Sequence, residues 1–251
     1  MSKIALITGG SRGLGRSMAE HLAASGRDIV LTYQSNEQAA KDVIEHIEQL
    51  GQRAMAVQLD IAQTANFTNF ATELAKLLSE QWQVNHIDFL INNAGSGVFQ
   101  NYQSTSEAQF DQMVNEHLKG PFFLTQALLP LIKNGGRILN VSSGLTRMTF
   151  PGFAAYASVK AAVETLSMYQ ARELGERNIS VNALAPGAIE TDFGGGYVRD
   201  TAEVNQHLAS MTALGRVGLP DDIGGAVAAL LADGTAWINA QRIEVSGGQN
   251  I

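Results

Sequence analysis

The sequence predicts an α/β domain with a doubly wound parallel sheet, and two observations carry that expectation. Short runs that are apolar throughout alternate along the chain with stretches whose apolar residues recur at helical spacing. A strand with no polar face belongs to a sheet covered on both sides, and helices between strands make the strands parallel. The second observation is a glycine-rich turn, GGSRGLG at residues 9–15, directly after the first apolar run.

The elements follow in order. KIALIT is the first strand, an amphipathic stretch near Leu14–Ser25 the first helix, and DIVLTY the second strand. Ser35 with Gln38 three residues later has the form of a capping box. Behind it Ala39, Ala40, Val43, Ile44, Ile47 and Leu50 recur at helical spacing, and Gly51 occupies the C-cap region. RAMAVQL, a helix near Thr64–Gln81 and IDFLIN continue the alternation, followed by the strands RILNVS, ISVNAL and RIEVS. No linker, repeat or low-complexity segment interrupts the pattern, so a single domain over residues 1–251 is expected.

Composition removes several classes of function. A net charge of −7 with no basic block argues against nucleic acid as a partner. The absence of cysteine excludes disulfides, thiolate metal sites and a cysteine nucleophile, and the histidines show no metal-ligand spacing. MSKIALITGG lacks the apolar core and cleavage site of a signal peptide, and no apolar stretch approaches the roughly 18 residues that span a bilayer. A soluble, cytoplasmic protein is expected.

Gly9, Gly13 and Gly15 are spaced G-x-x-x-G-x-G, which differs from the commonest dinucleotide fingerprint. In a parallel sheet this turn lies at the carboxyl edge, where ligands bind, and the helix N-terminus behind it favours a pyrophosphate. The Gly-Lys-Ser/Thr ending of a P-loop is missing. Farther on, Tyr156 and Lys160 sit four apart in AAYASVKAAVETL, a helical stretch, and so share a face. A free phenol has a pKa of about 10, and a nearby ammonium lowers it toward useful acid/base chemistry. Ser143 can donate to an oxygen on which negative charge develops. The alternative is a solvated Tyr–Lys pair on a helix surface.

From end to end the chain resembles the short-chain dehydrogenase/reductase family. Thr8-Gly9 through Gly13 and Gly15 is similar to its TGxxxGxG loop, and Asn92-Asn93-Ala94-Gly95 to its NNAG segment. Ser143 and Tyr156-Ala157-Ser158-Val159-Lys160 resemble its serine and YxxxK pair. Pro186-Gly187 with Ile189 and Thr191-Asp192 resembles its PG-loop. The tail from Gly215-Arg216 through Pro220 to Ser246-Gly247-Gly248 is also similar. The resemblance implies a Rossmann fold, a carbonyl/alcohol oxidoreductase dependent on NADP(H), a small-molecule substrate and a homotetramer. It places subunit contacts on the helix bearing Tyr156 and on the strand near Ile243, although Leu166, Tyr169 and Leu174 fit a core equally well. It implies that the cofactor meets Gly9, Ser11, Arg12, Gly13, Leu14 and Gly15, then Asp60 and Ile61, then Asn93, Ala94 and Gly95. Pro186, Gly187, Ile189 and Thr191 complete that set together with Tyr156 and Lys160, the lysine holding ribose hydroxyls. The family interval of thirteen residues before the tyrosine selects Ser143 over Ser142.

NAD enzymes usually place a carboxylate at the end of the second strand. LTYQSN offers Tyr33, Gln34, Ser35 and Asn36 instead, so Arg12 and Ser35 are expected at a 2′-phosphate. The missing acid also argues against a methyltransferase. One departure concerns catalysis. The family's usual asparagine falls at His117 in HLKGPFF, and Asn115, two residues earlier, faces another direction on a regular helix. His117 either points into the site and titrates near neutrality, or points away and leaves only its backbone carbonyl in play. Phe193-Gly194-Gly195-Gly196-Tyr197 is either a hinge or an irregular connection, and Thr149–Phe153 either lines a pocket or joins the core. His21, His46, His86 and His207 are expected as ordinary surface or helix residues. The functional expectation is a 3-ketoacyl-thioester reductase or a general ketone or aldehyde reductase. Its rival is a non-catalytic NADP(H)-binding regulator on the same fold.

Overall fold

The apolar runs all enter one parallel sheet. The computed structural model describes residues 2–251. Its strands are β1 (Ile4–Ile7), β2 (Asp28–Tyr33), β3 (Ala54–Gln58), β4 (Ile87–Asn92), β5 (Ile132–Val141), β6 (Ser180–Pro186) and β7 (Arg242–Val245). They lie in the order β3-β2-β1-β4-β5-β6-β7, and every pairing is parallel. Neighbouring strand residues point to opposite faces, so Leu6 packs into one core layer while Ala5 and Ile7 pack into the other.

Helices cover both faces. On one side α1 (Gly13–Ala24), α2 (Glu37–Gln49) and α9 (Pro220–Leu230) contribute Met18, Leu22, Val43, Ile47, Ile223 and Val227. On the other, α3 (Phe67–Trp82), α5 (Gly120–Leu128) and the long α6 (Ala154–Glu173) contribute Phe67, Leu74, Leu78, Leu124 and Ala171. Three shorter helices, α4 (Glu107–Val114), α7 (Tyr197–Asp200) and α8 (Ala202–Ser210), lie on connections at the carboxyl edge or leading from it.

Two local expectations are corrected. The cap of α2 is Asn36, whose side chain accepts from the Ala39 amide, while Gln38 bonds Asp42. Ser35 therefore forms no capping box, because the helix starts two residues after it. Between α4 and α5, residues Asn115–Lys119 form a π-turn, a single wide turn that shifts the register of side chains around the helix axis. Asn115 lies on this turn outside the cavity described below, whereas His117 is brought into its wall.

The strand order reverses between β1 and β4. In such a sheet the loops leaving these strands diverge and open a crevice at the carboxyl edge. The glycine loop after β1 and Asn93–Gly95 after β4 form its two sides, joined where the Asn93 side chain donates to the carbonyls of Thr8 and Gly9.

Candidate active site

The crevice holds a cavity of about 720 Å3. At the end beside the glycine loop the wall exposes backbone. Gly9 (φ +65°) and Gly13 (φ +54°) occupy left-handed conformations, and a Cβ on Gly15 would stand 2.2 Å from the Gly9 carbonyl oxygen. Arg12, the N-cap residue of α1, makes no side-chain cap bond, so the first-turn N–H groups stay available to an anion. Its side chain is 68% exposed, and the guanidinium stands 3.8 Å from the Asp192 carboxylate. At the end of β2, Tyr33 and Gln34 line the cavity with no carboxylate beside them. These features fit a dinucleotide carrying a 2′-phosphate.

Gly9, Ser11, Arg12, Gly13, Leu14, Gly15, Asp60, Ile61, Asn93, Ala94, Gly95, Pro186, Gly187, Ile189 and Thr191 all line the cavity. Ser35 does not. It is exposed, and the turn into α2 carries it past the wall that Tyr33 and Gln34 form.

At the inner end, α6 presents Tyr156 and Lys160 one turn apart toward the loop that carries Ser143, and all three are buried. The Ser143 hydroxyl accepts from the Leu145 amide at 3.2 Å and lies near enough to the Tyr156 phenol to favour its ionised form. Ser142 has a different task, donating to Glu164 at 2.6 Å. Lys160 Nζ donates to the Val141 carbonyl at 2.6 Å and lies 5.6 Å from the centre of the phenol ring. Burial lowers its pKa to about 7. Burial also raises the Tyr156 phenol above its ordinary value, against the smaller opposing effect of nearby Ser143. The expected lowering of the phenol by Lys160 is thus reversed. Desolvation of the buried phenolate is the dominant cause, and the same burial destabilises the charge on Lys160.

His117 points inward, and its ring meets Tyr156 edge to face at 5.2 Å between centroids. Its Nε2 bonds the Ser96 carbonyl at 2.6 Å, which makes Nε2 the protonated nitrogen. Ser96 is braced in turn, because Glu116 accepts from its amide at 2.8 Å and from its hydroxyl at 2.6 Å. A Cβ on Gly95 would stand 2.1 Å from His117 Cε1, so only glycine lets the ring lie there. Burial, then the nearby Lys160 charge, push the imidazole well below its ordinary pKa. The ring points into the site, as one sequence reading had it, and the reading in which it points away is corrected. The titration near neutrality expected of the inward ring is corrected too, because burial and Lys160 keep it neutral.

The remaining wall is apolar and was largely invisible in the sequence. Phe99, Leu145, Met148, Phe150 and Phe153 form one side, while Val204 and Leu208 of α8 close the other. Of the residues 149–153, Phe150, Pro151 and Phe153 line the cavity. Phe193 crosses from the β6 side to lie 5.4 Å from Tyr156, on the open face of Gly97. Gly194, Gly195 and Gly196 behind it all have positive φ. His207, expected as an ordinary surface or helix residue, is exposed on α8 and also borders the cavity.

The chain is similar to known proteins over nearly its whole length. The profile of the family described as Enoyl-(Acyl carrier protein) reductase matches residues 9–250. Tetrahydroxynaphthalene reductase PfmaG of Pestalotiopsis fici is 37% identical over 98% of this chain and 91% of its own. The crystal structure of the angucycline C-6 ketoreductase LanV with bound NADP superposes with a TM-score of 0.93. It is 35% identical over 99% of this chain and 95% of its own. A short chain dehydrogenase from Burkholderia cenocepacia, in complex with NADP, gives a TM-score of 0.90. It is 33% identical over 99% of this chain and 98% of its own.

Proposed function

Because the chain belongs to the short-chain dehydrogenase/reductase family and is an NADP(H)-dependent oxidoreductase acting between a carbonyl and an alcohol, we propose that its substrate is a ketone on a fused aromatic ring system. The observation that carries this reading is the buried group Ser143, Tyr156 and Lys160, which faces a wall of Phe99, Leu145, Met148, Phe150, Phe153 and Phe193. Flat aromatic walls recognise flat apolar ligands. Two named relatives, a tetrahydroxynaphthalene reductase and an angucycline ketoreductase, bear names that point to fused-ring substrates.

Bound NADPH supplies the hydride. Tyr156, kept as a neutral phenol by burial, gives its proton to the carbonyl oxygen as negative charge develops there. Ser143 donates a hydrogen bond to the same oxygen. Lys160, held by the Val141 carbonyl, sets a positive charge beside the phenolate that remains. His117 holds the phenol ring from its far side as a neutral imidazole. Arg12 and the α1 N-terminus take the cofactor phosphates. The protein acts as an oligomer of identical chains, and Phe122, Phe123, Met168 and Tyr169, exposed on α5 and α6, form the contact.

The test is NADPH consumption against α-tetralone, simple ketones and aldehydes, a 3-ketoacyl thioester and an enoyl thioester, with product identification. Reduction of the bicyclic ketone well above the others is expected. Turnover confined to an acyl thioester would overturn the substrate assignment. Tight NADPH binding with no turnover of any compound would revive the regulator.

A further inference from the structure

Gln249 is followed by only two residues of the sequence, yet only 2% of it is exposed. The tail that carries it is firmly tied. Gln249 pairs with Thr212 in an antiparallel bridge, Arg147 Nη2 donates to its carbonyl at 2.7 Å, and the next amide, Asn250, donates to Met211 at 2.8 Å. The side chain runs inward to the loop after β6, where Oε1 accepts from the Ala188 amide at 2.9 Å. A Cβ on Gly187 would meet Oε1 at 2.9 Å, so this approach depends on the glycine.

That bond fixes which way the amide faces. A backbone N–H needs an acceptor, so the oxygen of Gln249 must be the atom beside Ala188, and the NH2 group points the other way. Among the described residues Nε2 has no hydrogen-bond partner, yet it is not sealed among the buried unpaired atoms, and Gln249 lines the cavity. The loop that Gln249 meets lies against the residue after Ser143. A Cβ on Gly144, the neighbour of Ser143, would lie 3.1 Å from the Pro186 carbonyl and 3.6 Å from Gly187 Cα.

Resting on the aromatic-ketone reading above, we propose that Gln249 is a specificity-determining residue whose Nε2 donates a hydrogen bond to a second oxygen of the substrate. The preferred substrate is then a fused-ring ketone bearing a further oxygen substituent rather than the plain hydrocarbon ketone. The donor is held in the cavity wall by the Ala188 bond, so a ligand oxygen that meets it loses little on binding, and a ligand that covers it without such an oxygen leaves the amide unpaired.

The experiment compares kcat/KM for α-tetralone and its methoxy-substituted isomers, whose ether oxygen can only accept. It is run for the wild type, Gln249→Glu and Gln249→Met, with NADPH affinity followed by fluorescence titration. Gln249→Glu keeps an acceptor for Ala188 and removes the donor; Gln249→Met removes both. The wild type should prefer at least one methoxy isomer, and both variants should lose that preference by roughly tenfold. Activity of Gln249→Glu on α-tetralone and its affinity for NADPH should hold. Equal loss on both ketones, weakened NADPH binding in Gln249→Glu, or a preference that survives both variants would overturn the proposal. A wild type that reduces α-tetralone and every methoxy isomer equally well would refute this role and leave the aromatic-ketone reading standing. Failure to reduce any of them would refute both.

Discussion

Replacing His117 with glutamine should flatten the acid limb of the protein's stability curve. In the folded chain Nε2–H is committed to Ser96, Nδ1 is buried with no partner, and Lys160 opposes a second positive charge. The native imidazole therefore stays neutral where the unfolded one, with a pKa of about 6.5, takes a proton. The sign follows: stability is full above about pH 6.5 and is lost as pH falls below it, because only the unfolded state gains the proton. By about pH 5.5 the unfolded state is favoured by an extra ~1.4 kcal/mol from this residue alone, against less than ~0.1 kcal/mol at about pH 7.5. His117→Gln cannot titrate. Whatever constant loss it suffers from altered packing, the gap between wild type and variant should narrow by about 1.3 kcal/mol between those pH values. Urea denaturation at the two pH values measures this, provided the slopes with denaturant agree. A gap that stays constant would show that the native imidazole takes up the proton too. An ionisation near pH 6.5 in kcat that disappears in the variant would refute the neutral imidazole as well.

Three further outcomes are expected. Arg12→Ala should weaken NADPH binding and leave NADH binding nearly unchanged. Because the side chain is 68% exposed, the loss should be about 1 kcal/mol, or about fivefold in Kd by titration; equal loss for both cofactors would make Arg12 a shaper of the loop. Ketone reduction should fall as pH rises through about 7, where Lys160 loses its ammonium charge while Tyr156 stays protonated. A pH–rate profile flat across that range would remove the lysine charge from the mechanism. Light scattering should give a mass about four times 26.8 kDa, reduced by Tyr169→Glu, whereas a stable 26.8 kDa species would reject the assembly.

The parallel sheet was legible because burial on both faces writes itself into consecutive residues: DIVLTY and IDFLIN coincide with β2 and β4, and KIALIT contains β1. The glycine loop and the Tyr156–Lys160 pair were legible for a similar reason. Each is a local pattern whose geometry is set within one turn or one loop. Ser35 shows the limit of such patterns, since its fate depended on where α2 began, and one residue's difference in the cap moved it out of the site. His117 shows a deeper limit. A π-turn set the direction of its ring, and burial together with Lys160, 43 positions away in the sequence, set its charge. The pKa of Tyr156 reversed for the same cause, because neighbouring charges appear in a motif while desolvation does not. Gln249 carried no signal at all. Sequence determines what is periodic or contiguous, whereas the charge state of a buried group and the reach of a chain end into a cavity arise only when distant segments close around the same space.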